Sequence, residues 1–197
     1  MMAMICAPVA LPGIGTYTAR GARDFNSARR LIALLARRGD LAYGRDPSDD
    51  HITGSAFVVN ETGTRLLMMH HTKLDRWLQL GGHCDAIPDV RQTALREAHE
   101  ESGLKEITPV GDDILDIDAH LVPARNAEPA HVHFDVRFLF VASDATPLLR
   151  NAESRALAWI AIADLAGHNA SESITFLRDI DIPGQVSAAR NARRATV

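Results

Sequence analysis

The clearest pattern of hydrophobic and polar positions lies between residues 131 and 142, where the two classes alternate. Apolar side chains occupy the even positions from 132 to 138, and the odd positions carry His131, His133, Asp135 and Arg137. Because successive side chains of a strand point to opposite faces, this segment is predicted to be a strand with one apolar and one charged face. Similar patterns predict one strand each at 52–60, 65–71 and 154–160, and one or two strands at 107–121.

Two amphipathic helices are predicted from apolar residues at helical spacing. In the first, Leu31, Leu34 and Leu35 recur among arginines, Asn26 offers a start, and Gly39 offers an end. Packing of this helix on its own domain is favoured, and a dimer contact or a substrate lid are the alternatives.

The second helix is predicted to begin after Asp89, a favourable N-cap with Gln92 three positions later. Gly103 suits the left-handed position that follows a helix. Shorter helical patterns occur at 161–167 and 171–179. Several strands with a helix in their midst favour an α/β (α+β) chain, either α+β or an α/β/α sandwich with a mixed β-sheet.

Length and composition describe an ordinary globular chain of 197 residues, with 46% hydrophobic and 23% charged residues. We predict an N-terminal extension with one helix (1–48), a main domain (49–183) and a polar C-terminal tail (184–197). A net charge of −4 does not provide the excess of positive charge that is typical of proteins that bind a nucleic acid polymer. No apolar run reaches membrane-spanning length, and the opening residues lack the basic start of a signal peptide. A cytoplasmic location is therefore expected.

An acidic cluster in the second helix carries the strongest chemical signal. Glu97, Glu100 and Glu101 fall at i, i+3 and i+4, so their carboxylates share one face and repel one another unless a cation lies among them. Hard oxygen ligands favour Mg²⁺, with Mn²⁺ as the substitute. A solvated acidic face is the alternative, but it accounts for neither the neighbouring glycines nor the neighbouring arginine. The sequence gives still less support to a zinc site at His83 and Cys84, because no second ligand pair follows at suitable spacing.

The segment 82–104, GHCDAIPDVRQTALREAHEESGL, resembles the Nudix box of MutT-like hydrolases, Gly-x5-Glu-x7-Arg-Glu-U-x-Glu-Glu-x-Gly-U, where U is bulky and aliphatic. The matching positions are Gly82, Arg96, Glu97, Glu100, Glu101, Gly103 and Leu104. Pro88 replaces the first glutamate, and the small Ala98 occupies the first U position. The resemblance implies a Nudix-type α/β/α sandwich and Mg²⁺-dependent hydrolysis of a phosphoanhydride in a nucleoside diphosphate linked to a second group.

The resemblance also assigns roles to residues of the box. Glu97 and Glu101 are the strongest metal-ligand candidates, Glu100 joins them, and the carbonyl of Gly81 is a weaker candidate. Arg96 is expected to orient a carboxylate by bidentate hydrogen bonds and not to contact substrate.

The general base and the phosphate contacts are expected outside the box. Glu153, which precedes the last predicted strand, is the best candidate for the base, with Glu128 behind it. On the charged face of the strand at 131–142, Arg137 is the preferred phosphate contact and His133 the second. A half-solvated strand face without such a role is the alternative.

Pro88 is the weak point of the match, because its side chain cannot bind a metal. Asp85 could supply the missing carboxylate, and stabilisation of the loop is its alternative role. The alternative function is a Nudix-fold nucleotide-binding or regulatory module without turnover, which Pro88 favours and the intact acidic set opposes. The expected partner is a small nucleotide derivative, with a homodimer as a further option, and no sequence marker selects among the nucleotides.

Overall fold

The structure is a computed structural model that describes residues 8–11, 13–46, 48–125, 128–168 and 171–195. Residues 1–7, on which the signal-peptide prediction rests, lie outside the described residues. The strands are, in chain order, β1 (Val9–Leu11), β2 (Gly15–Tyr17), β3 (His51–Asn60), β4 (Arg65–His71), β5 (Arg76–Leu78), β6 (Leu80–His83), β7 (Thr108–Val122), β8 (His131–Ala142) and β9 (Ser154–Ala161). The α-helices are α1 (Ala22–Arg38), α2 (Val90–Ser102), α3 (Glu172–Thr175) and α4 (Ile182–Ala195), and 3₁₀ segments cover Gly39–Tyr43, Ile162–His168 and Phe176–Asp179.

Hydrogen bonds join the strands into a small and a large sheet. β1 and β2 form an antiparallel pair in which Val9 lies opposite Tyr17. In the large mixed sheet the strand order is β5-β4-β3-β8-β7, with β6 also paired to β3 and β9 to β4. The predicted α/β class with a mixed sheet is confirmed, and β4 and β8 have the predicted bounds. The short strands β1, β2, β5 and β6 are additional, because three or four residues show no readable period.

The chain divides into two compact units, and β3, α2, β7 and β8 each contribute residues to both. The first unit comprises residues 1–55, 81–94 and 113–138, and the second comprises 56–80, 95–112 and 139–197. The first buries Tyr17, Leu31, Ile52 and Ile117, and the second buries Phe57, Leu66, Met68, Leu104 and Leu177. β3 is buried along its whole length, including its polar residues His51, Thr53, Ser55 and Asn60. The domain boundaries drawn from the sequence stay predictions.

α1 begins at Ala22, four residues before the predicted start, because Asp24 satisfies the backbone at this end of the helix. Its Oδ1 accepts the Gly21 N–H at 2.9 Å, and its Oδ2 accepts the Tyr17 hydroxyl at 2.6 Å and the Arg20 N–H at 2.7 Å. The bond from Gly21 satisfies a donor that an uncapped helix leaves open, and the other two tie the preceding segment to the helix start. The predicted end at Gly39 is confirmed, with φ at 53°.

α2 has the predicted caps. The Gln92 N–H donates to Asp89 Oδ1 at 3.0 Å, and the Thr93 N–H donates to the Asp89 carbonyl at 3.1 Å. Gly103 has φ at 71°, and a Cβ there would lie 2.5 Å from the Cβ of Leu149. Both the backbone conformation and the close approach therefore require glycine where the helix ends.

The polar C-terminal tail drawn at 184–197 stays a prediction as a part of the domain organisation, and residues 182–195 form the helix α4. Ile182 and Val186 are buried, and two arginines bind backbone carbonyls: Arg190 donates to Glu61 and Arg193 to Pro109. Two apolar positions are too few for a convincing helical period, so the sequence pattern missed the helix. None of the described helices is long and apolar enough to cross a membrane.

Asp24→Asn should lower the free energy of unfolding at pH 7 by about 1–3 kcal/mol, because an amide cannot accept all three hydrogen bonds. Burial raises the pKa of Asp24, but hydrogen bonds from Tyr17 and from the Arg20 and Gly21 amides hold it below its usual range. The Asp24 carboxylate therefore stabilises the fold fully at pH values above about 4, its pKa in the unfolded chain. This stabilisation is lost as the pH falls through the lower pKa that Asp24 has in the folded protein.

Urea unfolding of both proteins at neutral and at acidic pH measures this contribution. The difference between wild type and Asp24→Asn should shrink at the acidic pH, and an unchanged difference would contradict the role of the charged carboxylate. Asp164→Asn, at an exposed position of a 3₁₀ segment, is the matched control and should change little.

Candidate functional site

The acidic residues of α2 differ in their access to solvent. The side chain of Glu97 is 16% exposed and that of Glu100 is 57% exposed, whereas Glu101 is buried at 2%. All three carboxylates belong to the second unit. A carboxylate as buried as that of Glu101 requires compensating partners. Clustered hard oxygen donors of this kind fit Mg²⁺.

Arg96 contacts two of these carboxylates. Its Nη2 lies 3.0 Å from Glu97 Oε1, and its Nη1 lies 3.7 Å from Glu100 Oε2. The guanidinium thus bridges two carboxylates, where a bidentate bond to a single carboxylate is predicted from the sequence. The shorter contact is a charge-assisted hydrogen bond, and the longer one is an ion pair without a hydrogen bond. This geometry orients Glu97 and lowers the repulsion between the two acids.

Glu153 has an exposed side chain on a firmly held backbone. Its N–H donates to Asn151 Oδ1 at 2.9 Å, and its carbonyl accepts the Thr72 N–H at 2.8 Å. Burial lowers the pKa of His71, and the nearby charge of Glu153 opposes that change. Glu153 therefore lies in the second unit, with its backbone fixed beside β4 and its carboxylate open to water.

Gly81, in the first unit, lies where no side chain fits. Its φ is 156°, and a Cβ would lie 2.3 Å from Ser55 Oγ and 2.7 Å from the Gly54 carbonyl. The predicted close approach of the backbone is therefore present, and metal binding by the Gly81 carbonyl stays a prediction. In the following loop Asp85 is exposed, with φ at 50°. Its replacement of the missing glutamate also stays a prediction.

The charged face of β8 is buried at its centre, so the alternative of a half-solvated face is wrong there. Arg137 is 2% exposed, and its Nε, Nη1 and Nη2 lie 2.7, 3.0 and 3.3 Å from carboxylate oxygens of Asp135, Asp116 and Asp118. β8 lies between β3 and β7 in the sheet, so carboxylates of the neighbouring strand β7 can reach Arg137. A guanidinium engaged by three carboxylates is an unusual setting for a phosphate contact, and that role for Arg137 stays an untested prediction.

Further residues extend this buried network in the first unit. Arg23 of α1 lies 2.5 Å from Asp116 Oδ1 and 3.0 Å from Asp118 Oδ1. Asp135 Oδ1 accepts the hydroxyls of Thr53 and Ser55 at 3.1 and 2.7 Å. None of Arg23, Asp116 or Asp118 is among the predicted site residues. The spacing of two aspartates at i and i+2 on one strand is the only sequence signal that could have drawn attention to them.

The two aspartates of β7 respond differently to their surroundings. Burial raises the pKa of Asp116. Burial also acts to raise the pKa of Asp118, but a hydrogen bond from His120 and the charges of Arg137, His120 and Arg23 lower it to about 2. Asp118 is therefore ionised at neutral pH and compensates the buried cation.

Arg137→Leu should lower the free energy of unfolding by about 3–5 kcal/mol, because it leaves buried carboxylates without their cation. Arg155→Leu is the control, since Arg155 is 53% exposed and pairs with an exposed Asp75. It should cost less than about 1 kcal/mol. Chemical unfolding of both variants measures the two losses in free energy of unfolding, and equal losses would contradict a structural role for the buried network.

Several histidine rings lie together in the first unit. The His133 ring centroid lies 4.6 Å from that of His51, 5.0 Å from His131, 5.2 Å from His83 and 5.6 Å from His120. Burial is the main cause that lowers the pKa of His133 to about 2 and that of His83 to about 4. The predicted contact of His133 with phosphate stays a prediction. The i, i+2 spacing of His131 and His133 indicates a shared face, but nothing local predicts that His51 joins them.

Comparisons with known proteins show what the chain is similar to. The NUDIX domain family model matches residues 50–180. The dihydroneopterin triphosphate pyrophosphohydrolase of E. coli is 14% identical, with a TM-score of 0.56 over 72% of this chain and 98% of that chain, which shows the fold alone. A NUDIX family hydrolase from Clostridium perfringens is 24% identical, with a TM-score of 0.47 over 70% and 97% of the two chains. No curated protein matches the chain.

Proposed function

Because the chain belongs to the Nudix family of pyrophosphohydrolases, we propose that it hydrolyses a nucleoside diphosphate linked to a second group, in a reaction that depends on Mg²⁺. The observation that carries this proposal is the set of three carboxylates on α2, bridged at two of them by Arg96. Such a set concentrates negative charge on one helix, which is costly unless a cation is bound. Mn²⁺ is the expected substitute, because it accepts the same oxygen ligands.

Glu97, Glu100 and Glu101 would hold the ion, with Arg96 keeping Glu97 in place. When bound, Mg²⁺ neutralises charge on phosphate oxygens and lowers the pKa of the attacking water. The half-buried position of Glu97 limits the orientations of its carboxylate, while the exposure of Glu100 leaves it accessible to a substrate from solvent. The substrate is a small nucleotide derivative whose diphosphate supplies the remaining oxygen ligands.

Glu153 is our candidate for the general base. Its carboxylate can accept a proton from the attacking water, because it is exposed while its backbone is held on both sides. It belongs to the same compact unit as the three acids of α2. Electrons from the water oxygen then form the new bond to phosphorus, and the bond to the bridging oxygen breaks.

A binding module without turnover is the second candidate function. Pro88 favours it, because this exposed residue offers no side-chain ligand where the box has its first glutamate. Release of a phosphorylated product from any nucleoside diphosphate derivative in the presence of Mg²⁺ separates the two functions. Binding without any product would favour the module.

Glu97→Gln should lower kcat by at least about 10²-fold, because the bound metal supplies several kcal/mol of transition-state stabilisation. Steady-state rates at increasing Mg²⁺ test this, and the variant should also need more Mg²⁺ for half-maximal rate. Glu106→Gln is the matched control, at an exposed glutamate of the same unit beyond the end of α2. Full activity of Glu97→Gln would refute the ligand assignment.

Glu153→Gln should lower kcat by about 10²–10⁴-fold with the Mg²⁺ requirement unchanged, because general-base catalysis is worth about that much. The pH dependence of kcat is the decisive measurement: the acidic limb of the wild-type profile should disappear in the variant. Glu172→Gln, at an exposed position of α3, is the control. An acidic limb that persists in Glu153→Gln would assign the base to another residue.

A further inference from the structure

A group of histidines in the first unit is not used by the proposed hydrolysis. His51 begins β3, and His131 and His133 lie two residues apart at the start of β8. One ring nitrogen from each of the three residues lies within 4.8 Å of the other two. We propose that His51, His131 and His133 form a metal site separate from the carboxylates of α2, for a divalent transition ion of the Zn²⁺ type.

The hydrogen bonds of two rings fix which nitrogen is available to a metal. His51 Nδ1 lies 2.8 Å from the Asp49 carbonyl, and His131 Nδ1 lies 3.0 Å from the Pro129 carbonyl. A carbonyl oxygen only accepts, so each Nδ1 carries the proton and each Nε2 of the neutral ring carries a lone pair. Metal-binding histidines have this arrangement, in which the second nitrogen donates to a carbonyl and holds the ring in place.

The Nε2 of His51 needs a partner. His51 is 2% exposed, and its Nε2 is buried with no hydrogen-bond partner among the residues that the structure describes. An unsatisfied buried acceptor destabilises the fold. A cation bound by His51 Nε2 would satisfy this lone pair, and its binding to His131 and His133 would replace the hydrogen bond between their Nε2 atoms.

The spacing of the other two ligand nitrogens suits one ion. The Nε2 atoms of His131 and His133 are 3.1 Å apart. Two nitrogens bound to one zinc at about 2.0–2.1 Å in a tetrahedral arrangement lie roughly 3.3–3.4 Å apart. The His131 and His133 nitrogens are therefore within a few tenths of an ångström of this spacing, and the ring nitrogen of His51 lies within 4.8 Å of both.

The charge state of the rings selects the class of ion. Burial, above all, lowers the pKa of His51 and of His133, so both are neutral imidazoles at physiological pH, the form that binds metals. The nearby positive charges of Arg38 and Arg45 oppose any cation. Neutral nitrogen donors suit Zn²⁺ and related transition ions, whereas Mg²⁺ prefers oxygen. Three protein ligands leave the fourth position to water.

The test uses the full chain, stripped with a chelator and then titrated with Zn²⁺ or with Co²⁺. We expect one equivalent of Zn²⁺ to bind and to raise the midpoint of thermal unfolding. Co²⁺ should give the visible absorption of a nitrogen-bound ion of low coordination number. No retention of either ion after dialysis would overturn the proposal.

His51→Gln and His131→Gln should each weaken Zn²⁺ binding by more than about 100-fold, which exceeds the usual effect of removing a group that only orients a ligand. His168→Gln, on a 3₁₀ segment of the second unit, is the matched control and should bind as wild type does. Glu97→Gln should also keep the bound Zn²⁺. Loss of Zn²⁺ in Glu97→Gln, or full binding in both histidine variants, would overturn the assignment.

X-ray absorption of the wild-type zinc protein keeps the proposal testable if a histidine variant fails to fold. The zinc spectrum should require three imidazole nitrogens, and a spectrum fitted by oxygen ligands alone would overturn the proposal. Because neither measurement depends on turnover, the result is independent of the proposed hydrolysis.

Discussion

The buried guanidinium of Arg137 is the constraint on which the first unit depends. A cation that is 2% exposed is stable only among carboxylates, because taking a charge out of water costs several kcal/mol. Asp135 comes from the same strand, while Asp116 and Asp118 come from β7, so neutralising this charge requires β7 and β8 to meet in one register. Arg23 binds the same two aspartates of β7 and so attaches α1. One buried charge thereby specifies how a helix and two strands pack.

The same network reaches the backbone at Gly81 and the histidines of the first unit. Asp135 accepts the hydroxyl of Ser55, whose Oγ lies where a side chain on Gly81 would have to be. Asp118 holds His120, whose ring contacts the ring of His133. Residues of this network therefore determine the shape of the backbone at Gly81 and the packing of the histidines. The stability of the network and the geometry of these groups should be difficult to change separately.

Local signals in the sequence were sufficient to predict the helix α2 and the position of its glutamates. Asp89 and Gly103 act on the nearest backbone groups, so the caps could be predicted without knowledge of the fold. The burial of Arg137 could not be predicted, because alternation along β8 does not reveal which strand lies next to it in the sheet. His51 joins His131 only through the pairing of distant strands, and a helix as weakly apolar as α4 is recognised only by what it packs against. The sequence therefore predicts the chemistry of the box better than the network that supports the neighbouring backbone.

Donor type and burial also explain how one chain could keep two metals apart. α2 offers charged oxygen donors, and Glu100 is 57% exposed, so an ion there can exchange and can share its ligands with a diphosphate. The histidines offer neutral nitrogens, and His51 is 2% exposed, so an ion there would be held without a large change in net charge. Mg²⁺ gives up water reluctantly and prefers oxygen, which makes the buried imidazoles a poor site for it. Burial therefore has opposite uses in the two places: the exposure of Glu100 keeps it available to substrate, and burial lowers the pKa of His51 and His133, which favours the neutral form that binds a transition ion.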